Sequence, residues 1–204
     1  MESSSSAKIE ITAPRRFNLG AVLIVSLFGI FPALPVIASI LIVSVVKIGV
    51  ATFIIPLLGL AAAALLVPFG FGNPYVVYLV RKLSPEGARD PNSFIVQLTV
   101  SPRVRSGIRA VLEDADDIGI LTCTATELSF TGDSVKLTIP RSQLTRIQPQ
   151  NIGWRGMYVS GRRIELVVAG LPNVETLEFA ERSALLLPTS RKITKTLYQQ
   201  ITTK

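Results

Sequence analysis

Hydrophobic and polar positions in this chain follow two patterns, and the change comes after Val80. From Phe17 to Val80 the apolar run is almost unbroken, and Lys47 is the one formal charge within it. A helix needs about 20 apolar residues to span the hydrocarbon core of a bilayer. Residues 18–46 and 49–70 each exceed that length, so the pattern predicts two crossings. Lys47-Ile48-Gly49 is the expected turn, because it holds the charge and its glycine can end a helix in the left-handed conformation. Pro32 and Pro35 in the first span and Pro56 and Pro68 in the second predict kinks. The alternative is that the FPALP run at 31–35 turns the chain midway into shorter re-entrant helices. Phe69-Gly70-Phe71-Gly72-Asn73-Pro74 reads as a break, followed by an interfacial helix over 75–83 with Tyr75, Tyr78, Arg81 and Lys82.

Beyond Val80 the pattern alternates. Ser84–Pro91 is a linker by its Pro, Gly and charge content. Phe94, Val96, Leu98 and Val100 mark a first strand, and Ser106–Asp117 is expected to be a short helix with an acidic end. Leu121 and Cys123 lie on one face of a second strand, and Leu128 and Phe130 mark a third. Gly132-Asp133 signals a tight hairpin into a fourth, Val135/Leu137/Ile139, ended by Pro140. Leu144 and Ile147, then Ile164/Leu166/Val168, then Leu177/Phe179 complete seven strands. A terminal helix follows Pro188, with Thr189 or Ser190 as its cap and an apolar stripe at Ile193, Leu197 and Ile201. The predicted organisation is a disordered tail over 1–16, a membrane hairpin over 17–83, a linker over 84–91 and a soluble domain over 92–204.

Charge sets the expected orientation. Arg15 and Arg16 precede the first span and Arg81, Lys82 and Arg89 follow the second, which places both ends in the cytoplasm of an integral inner-membrane protein. Arg15-Arg16 and the PVIA before Ser39 imitate a secretory signal, but apolarity continues through ILIVSVV, so a retained segment is expected. The net charge of +7 is too diffuse for a dedicated nucleic-acid binder. The 204 residues include one cysteine and no histidine, which excludes an internal disulfide and removes the commonest general base and a common metal ligand.

Seven strands and one amphipathic helix are the element order of a pleckstrin-homology-like domain. The segment GILTCTATELSFTGDSVKLTIPRSQLTRI (119–147) and the later WRGMYVSGRRIEL (154–166) resemble the PH-like and GRAM-like domains of bacterial membrane proteins. The resemblance covers roughly Phe94–Thr202 and implies an α+β chain: a transmembrane two-helix hairpin, then a seven-stranded, partly open β-barrel capped by its C-terminal helix. It also implies that basic residues near the first hairpin hold lipid phosphates.

Arg103, Arg105 and Arg109 are the residues that fit that role, since a guanidinium donates two parallel hydrogen bonds to a phosphate. Loose attraction to anionic headgroups, or plain surface charge paired with nearby acids, are the competing readings. Trp154, Arg155, Arg162 and Arg163 suit a partner-binding patch, or Trp154 covers the edge of the barrel core. Glu113, Asp114, Asp116 and Asp117 lack the glycine and ligand spacing of a calcium loop and read as a solvated helix end. Cys123 has no histidine to activate it and reads as a buried small hydrophobe. Ser26, Ser39, Ser44 and Thr52 read as backbone-bonded or packing residues in the spans. No catalytic, cofactor or metal residue is assigned. The expected role is non-enzymatic: a membrane-anchored domain that binds anionic lipid headgroups or a protein partner. The alternative is an assembly subunit that self-associates through its hairpin, aided by the small residues of Gly59–Ala64.

Overall fold

A computed structural model describes residues 6–46, 49–87, 90, 92–107, 112–150 and 163–203. It is an α+β chain in which a curled antiparallel half-barrel sits beside one long apolar helix near the N-terminus. The strands are β1 (Lys8–Ile11), β2 (Ser93–Ser101), β3 (Asp117–Cys123), β4 (Glu127–Gly132), β5 (Val135–Pro140), β6 (Leu144–Gln150), β7 (Arg163–Val168) and β8 (Thr176–Glu181). The helices are α1 (Leu19–Ile30), α2 (Leu34–Val46), α3 (Ala51–Leu66), α4 (Asn73–Leu83) and α5 (Leu187–Thr202).

The sheet order is β1-β5-β4-β3-β2-β8-β7-β6, with every neighbouring pair antiparallel. Two meanders, β2 to β5 and β6 to β8, therefore join through the β2–β8 pair. Phe94, Val96, Leu98 and Val100 all point into the curl, as their alternation predicts. There they meet Leu121, Phe130, Leu137, Ile164, Leu166, Leu177 and Phe179. Leu197 and Ile201 of α5 enter the same core fully buried, and Ile193 packs on its margin.

The described residues hold eight strands where seven were expected. The tail expected to be disordered contributes β1, whose Ile9 pairs with Leu137 and packs on the core beside buried Ala7. Two further corrections concern turns. The two-residue turn between β4 and β5 is Asp133-Ser134, not Gly132-Asp133. Helix α5 begins at Leu187 with Pro188 in its first turn, so neither Thr189 nor Ser190 is its cap.

FPALP does not turn the chain. Phe31–Ala33 forms one tight 3-10 turn, and the helix continues through it as Leu19–Val45, 27 residues long. That is about 40 Å of helix. Its prolines fall in the first turn of the 3-10 and α segments, where a missing amide costs little. After the described Gly49, whose φ is +32°, α3 packs along α2. Lys47 and Ile48 of the expected turn lie outside the described residues. Gly59 is the contact point: a Cβ there would lie 2.7 Å from that of Ser39 and 2.8 Å from the Pro35 carbonyl. Ser39 and Ser44 each donate to a carbonyl of their own helix at 2.7 Å, whereas Ser26 reaches Leu112 across the molecule.

A second core fixes the helices to the sheet. Phe17, with Ala21, Val22 and Val25 of α1, packs with Val76, Leu79 and Val80 of α4 against Ile118 and Ile120. This explains why β3 reads DIGILTC, with little polar alternation: it is covered on both faces. The break expected at 69–74 falls at 67–72 instead, with Asn73 and Pro74 opening α4, and it is itself pinned, since Gly70 N donates to Leu185 O at 2.6 Å and Leu187 N to Pro68 O at 2.8 Å.

Candidate functional site

The polar groups of the β2–β3 connection gather at one end of the half-barrel. The helix expected over Ser106–Asp117 lies partly outside the described residues; at its acidic end Asp117 opens β3, and Glu113, Asp116 and Asp117 are buried rather than solvated. The reason lies in their partners. Asp116 is fully buried and accepts from Val100 N at 2.9 Å, Arg105 N at 3.0 Å and Arg103 Nε at 3.3 Å. Arg103 also pairs with Asp114 and donates to the Glu113 carbonyl. Arg163, on β7, bridges Asp114 and Glu178. A buried carboxylate is stable only when such donors replace water.

Three of the arginines proposed from sequence are thus engaged within the fold. Arg103 and Arg163 are in ion pairs, and Arg105 Nη2 donates to Thr12 O and Ser134 Oγ. Arg109, Trp154, Arg155 and Arg162 lie outside the described residues.

Asp117 and Asp133 form the second layer. Gly119 and Gly132 face each other across β3 and β4. A side chain at Gly132 would strike the Asp117 carboxylate, and one at Gly119 the Thr131 carbonyl. With both positions bare, Asp117 Oδ2 accepts from Ser134 N at 2.8 Å and Val135 N at 2.7 Å. Burial pushes its carboxyl pKa up, against the pull of these hydrogen bonds. Asp133, in the turn, accepts from the amides of Arg15, Arg16 and Phe17, each at 2.8 Å. One carboxylate therefore holds the backbone that leads into α1, where Asn18 caps the first turn by accepting from Ala21 N at 3.1 Å. Asp133→Ala is expected to loosen this attachment by about 2–4 kcal/mol, since amides that donated to a charge lose their acceptor. Hydrogen exchange at residues 15–17 is the check: faster exchange there, with β2 and β8 unchanged, is expected, and unaltered exchange would refute the clamp.

Cys123 is buried, and burial raises its thiol to about 11 despite the opposing charge of Arg141. At neutral pH it is protonated and a poor nucleophile. Among the described residues, no group of three or more acidic, histidine or cysteine side chains is placed to hold a metal ion.

A further polar centre lies where the apolar helices meet the sheet. A cavity of about 230 Å³ opens between α1, the Phe69–Asn73 break and the Leu112–Asp114 segment. Arg182, one residue past β8, lines it and is only 4% exposed. Its Nη1 donates to Gln97 Oε1 at 3.0 Å, but its Nε has no partner. Among the described residues no carboxylate lies within ion-pair distance of it. Gly72 borders it: a Cβ there would sit in ordinary contact with Arg182 Nη2, at 3.8 Å, and more tightly against Val25, at 3.2 Å. Sequence reading missed both Asp133 and Arg182. The first looks like an ordinary turn residue and the second, in FAERSA, like half of a solvated pair. No family model matches the chain, and neither a curated protein nor a solved structure does.

Proposed function

We propose that this chain is a bilayer-anchored, non-enzymatic module that holds a PH-like half-barrel against the cytoplasmic headgroup layer and binds phospholipid there. The observation that carries the reading is that the chain on either side of the apolar helices joins one sheet. β1 precedes α1, β5 follows α3, and Ile9 and Leu137 are paired. A segment whose two ends share a sheet must leave and re-enter on the same side, so it crosses a bilayer an even number of times or not at all.

Lengths fit two crossings. The first two turns of α1 are spent on the sheet, with Ala21, Val22 and Val25 buried. Residues 27–46 remain, about 30 Å of helix, which is the thickness of a hydrocarbon core. α3 is shorter, 16 residues and so about 24 Å, and the phenylalanines of the break extend it toward the interface. Leu27, Leu41, Val45, Phe53, Leu57 and Leu65 are outward and more than half exposed, a surface that water does not favour and acyl chains do. Tyr78, with Lys82 4.4 Å over its ring, sets an aromatic beside a cation on α4, a pair that suits an interfacial depth. The lipid-contacting group this geometry favours is Arg182, since Arg103 and Arg105 already serve the fold.

Cysteine labelling of the full chain in bacterial cells tests the topology, because native Cys123 is buried and protonated. Gly49→Cys is expected to react with a membrane-impermeant maleimide on intact spheroplasts, and Thr203→Cys only after permeabilisation. Equal protection of both sites in intact spheroplasts would sink the two-crossing anchor.

A further inference from the structure

Arg182 shares its cavity with Glu113, and neither is paired with the other or with any opposite charge among the described residues. Glu113 is 6% exposed, and among the described residues the one hydrogen bond to its carboxylate comes from the amide of Asp114, at 3.1 Å. Asp114, its neighbour on the cavity wall, is already neutralised by Arg103 and Arg163. The cavity thus offers one cation and one anion, both nine-tenths buried and more than 4.0 Å apart, since the pair falls outside ion-pair distance. Buried charges without counter-charges are costly unless a ligand supplies them.

We infer that this cavity is a binding site for a zwitterionic aminophospholipid headgroup, with the phosphate on Arg182 and the primary ammonium on Glu113. The inference rests on the lipid-binding reading above and adds the class of headgroup. Three observations carry it. The first is the charge pair itself: a purely anionic headgroup would satisfy Arg182 and leave Glu113 facing like charge. The second is size, because about 230 Å³ holds roughly seven water-sized groups at ~30 Å³ each, the bulk of a phosphate ester bearing a two-carbon amine. The third is placement. Phe28, Pro32 and Phe71 form the apolar wall, and Phe71 meets Phe31 at a tilt and stacks on Phe69, at ring separations of 5.2 and 5.5 Å. These residues lie where α1 stops packing on the sheet and the outward apolar surface begins, so acyl chains leave the cavity directly into hydrocarbon.

The test is native mass spectrometry of the full chain released from nanodiscs of equimolar phosphatidylethanolamine and phosphatidylglycerol, with phosphatidylcholine replacing the first in a parallel set. Retention of phosphatidylethanolamine about tenfold above either other lipid is expected, the effect of one charge-assisted hydrogen bond that a quaternary amine cannot donate. Glu113→Gln, which preserves shape, is expected to abolish that preference while retaining phospholipid. Arg182→Gln is expected to lose retention of all three, and Arg182→Lys to weaken it. Equal retention of the three lipids, or a preference untouched by Glu113→Gln, overturns the zwitterionic site and leaves the lipid-binding reading standing. Retention untouched by Arg182→Gln overturns lipid binding at this cavity. Soluble phosphoethanolamine, tested by thermal shift, separates a headgroup site from one that needs the whole lipid. A shift lost in Glu113→Gln supports the headgroup contact, and an equal shift in both proteins contradicts it.

Discussion

Leu197→Asp is expected to unfold the half-barrel. Leu197 is completely buried where α5 closes the curl, in a core with Ile201, Leu166 and Phe179. The substitution gives up about 1.5–3 kcal/mol of apolar burial. It also buries a carboxylate in an apolar core, at a further cost of several kcal/mol. The sum is comparable to the ~5–15 kcal/mol that holds a whole domain together. Leu197→Met, similar in volume, is expected to cost less than about 1.5 kcal/mol. Thermal melts of the full chain in detergent, followed by near-ultraviolet circular dichroism, compare the two. A Leu197→Asp protein that melts with the wild type would show that α5 is not part of the core.

Asp116→Ala is expected to be the most damaging single change among the polar groups. It removes the shared acceptor of Val100 N, Arg105 N and Arg103 Nε and leaves these donors in a site with no solvent access to Asp116. Breaking a buried charged cluster on one side costs about 3–5 kcal/mol. Asp116→Asn keeps the shape and one acceptor oxygen, so a loss of about half that size is expected. Amide exchange distinguishes the outcomes: deprotection at Val100 and Arg105 in the alanine variant, partly restored in the asparagine one. Full protection in both would mean that the connection after β2 is held by something other than Asp116.

Much of the fold could be read from local pattern because local pattern caused it. β4 and β5 alternate since one face is wet and one dry, β2 alternates although Gln97 and Thr99 on its second face are buried as well, and the Ile193/Leu197/Ile201 stripe follows the helical repeat. Gly49 adopts a positive φ, as its place after the first span predicts. What escaped the reading depends on distant partners. β1 is four residues long inside a polar, serine-rich tail, and only Leu137 and its neighbours make a strand of it. The run EDADD has the same letters exposed or buried; the arginines at 103 and 163 decide which. The three amides that Asp133 binds are more than a hundred residues away in sequence. Arg182 is buried because α1 and the break before α4 close over it, which no property of its own neighbours announces.

The pairing of β1 with β5 has a consequence in time as well as in space. β1 is synthesised first, yet its partner emerges only after the whole apolar segment and three further strands. β2 to β5 can pair as each leaves the ribosome, whereas β1 must wait at an edge of the sheet that is not complete until Pro140. If the helices enter a bilayer meanwhile, β1 finds β5 only when both have stayed on the side of synthesis. A chain that crossed an odd number of times would part β1 from β5 and lack its edge strand and the Asp133 clamp together, so four residues at one end of the sheet would act as a check on how the helices were threaded.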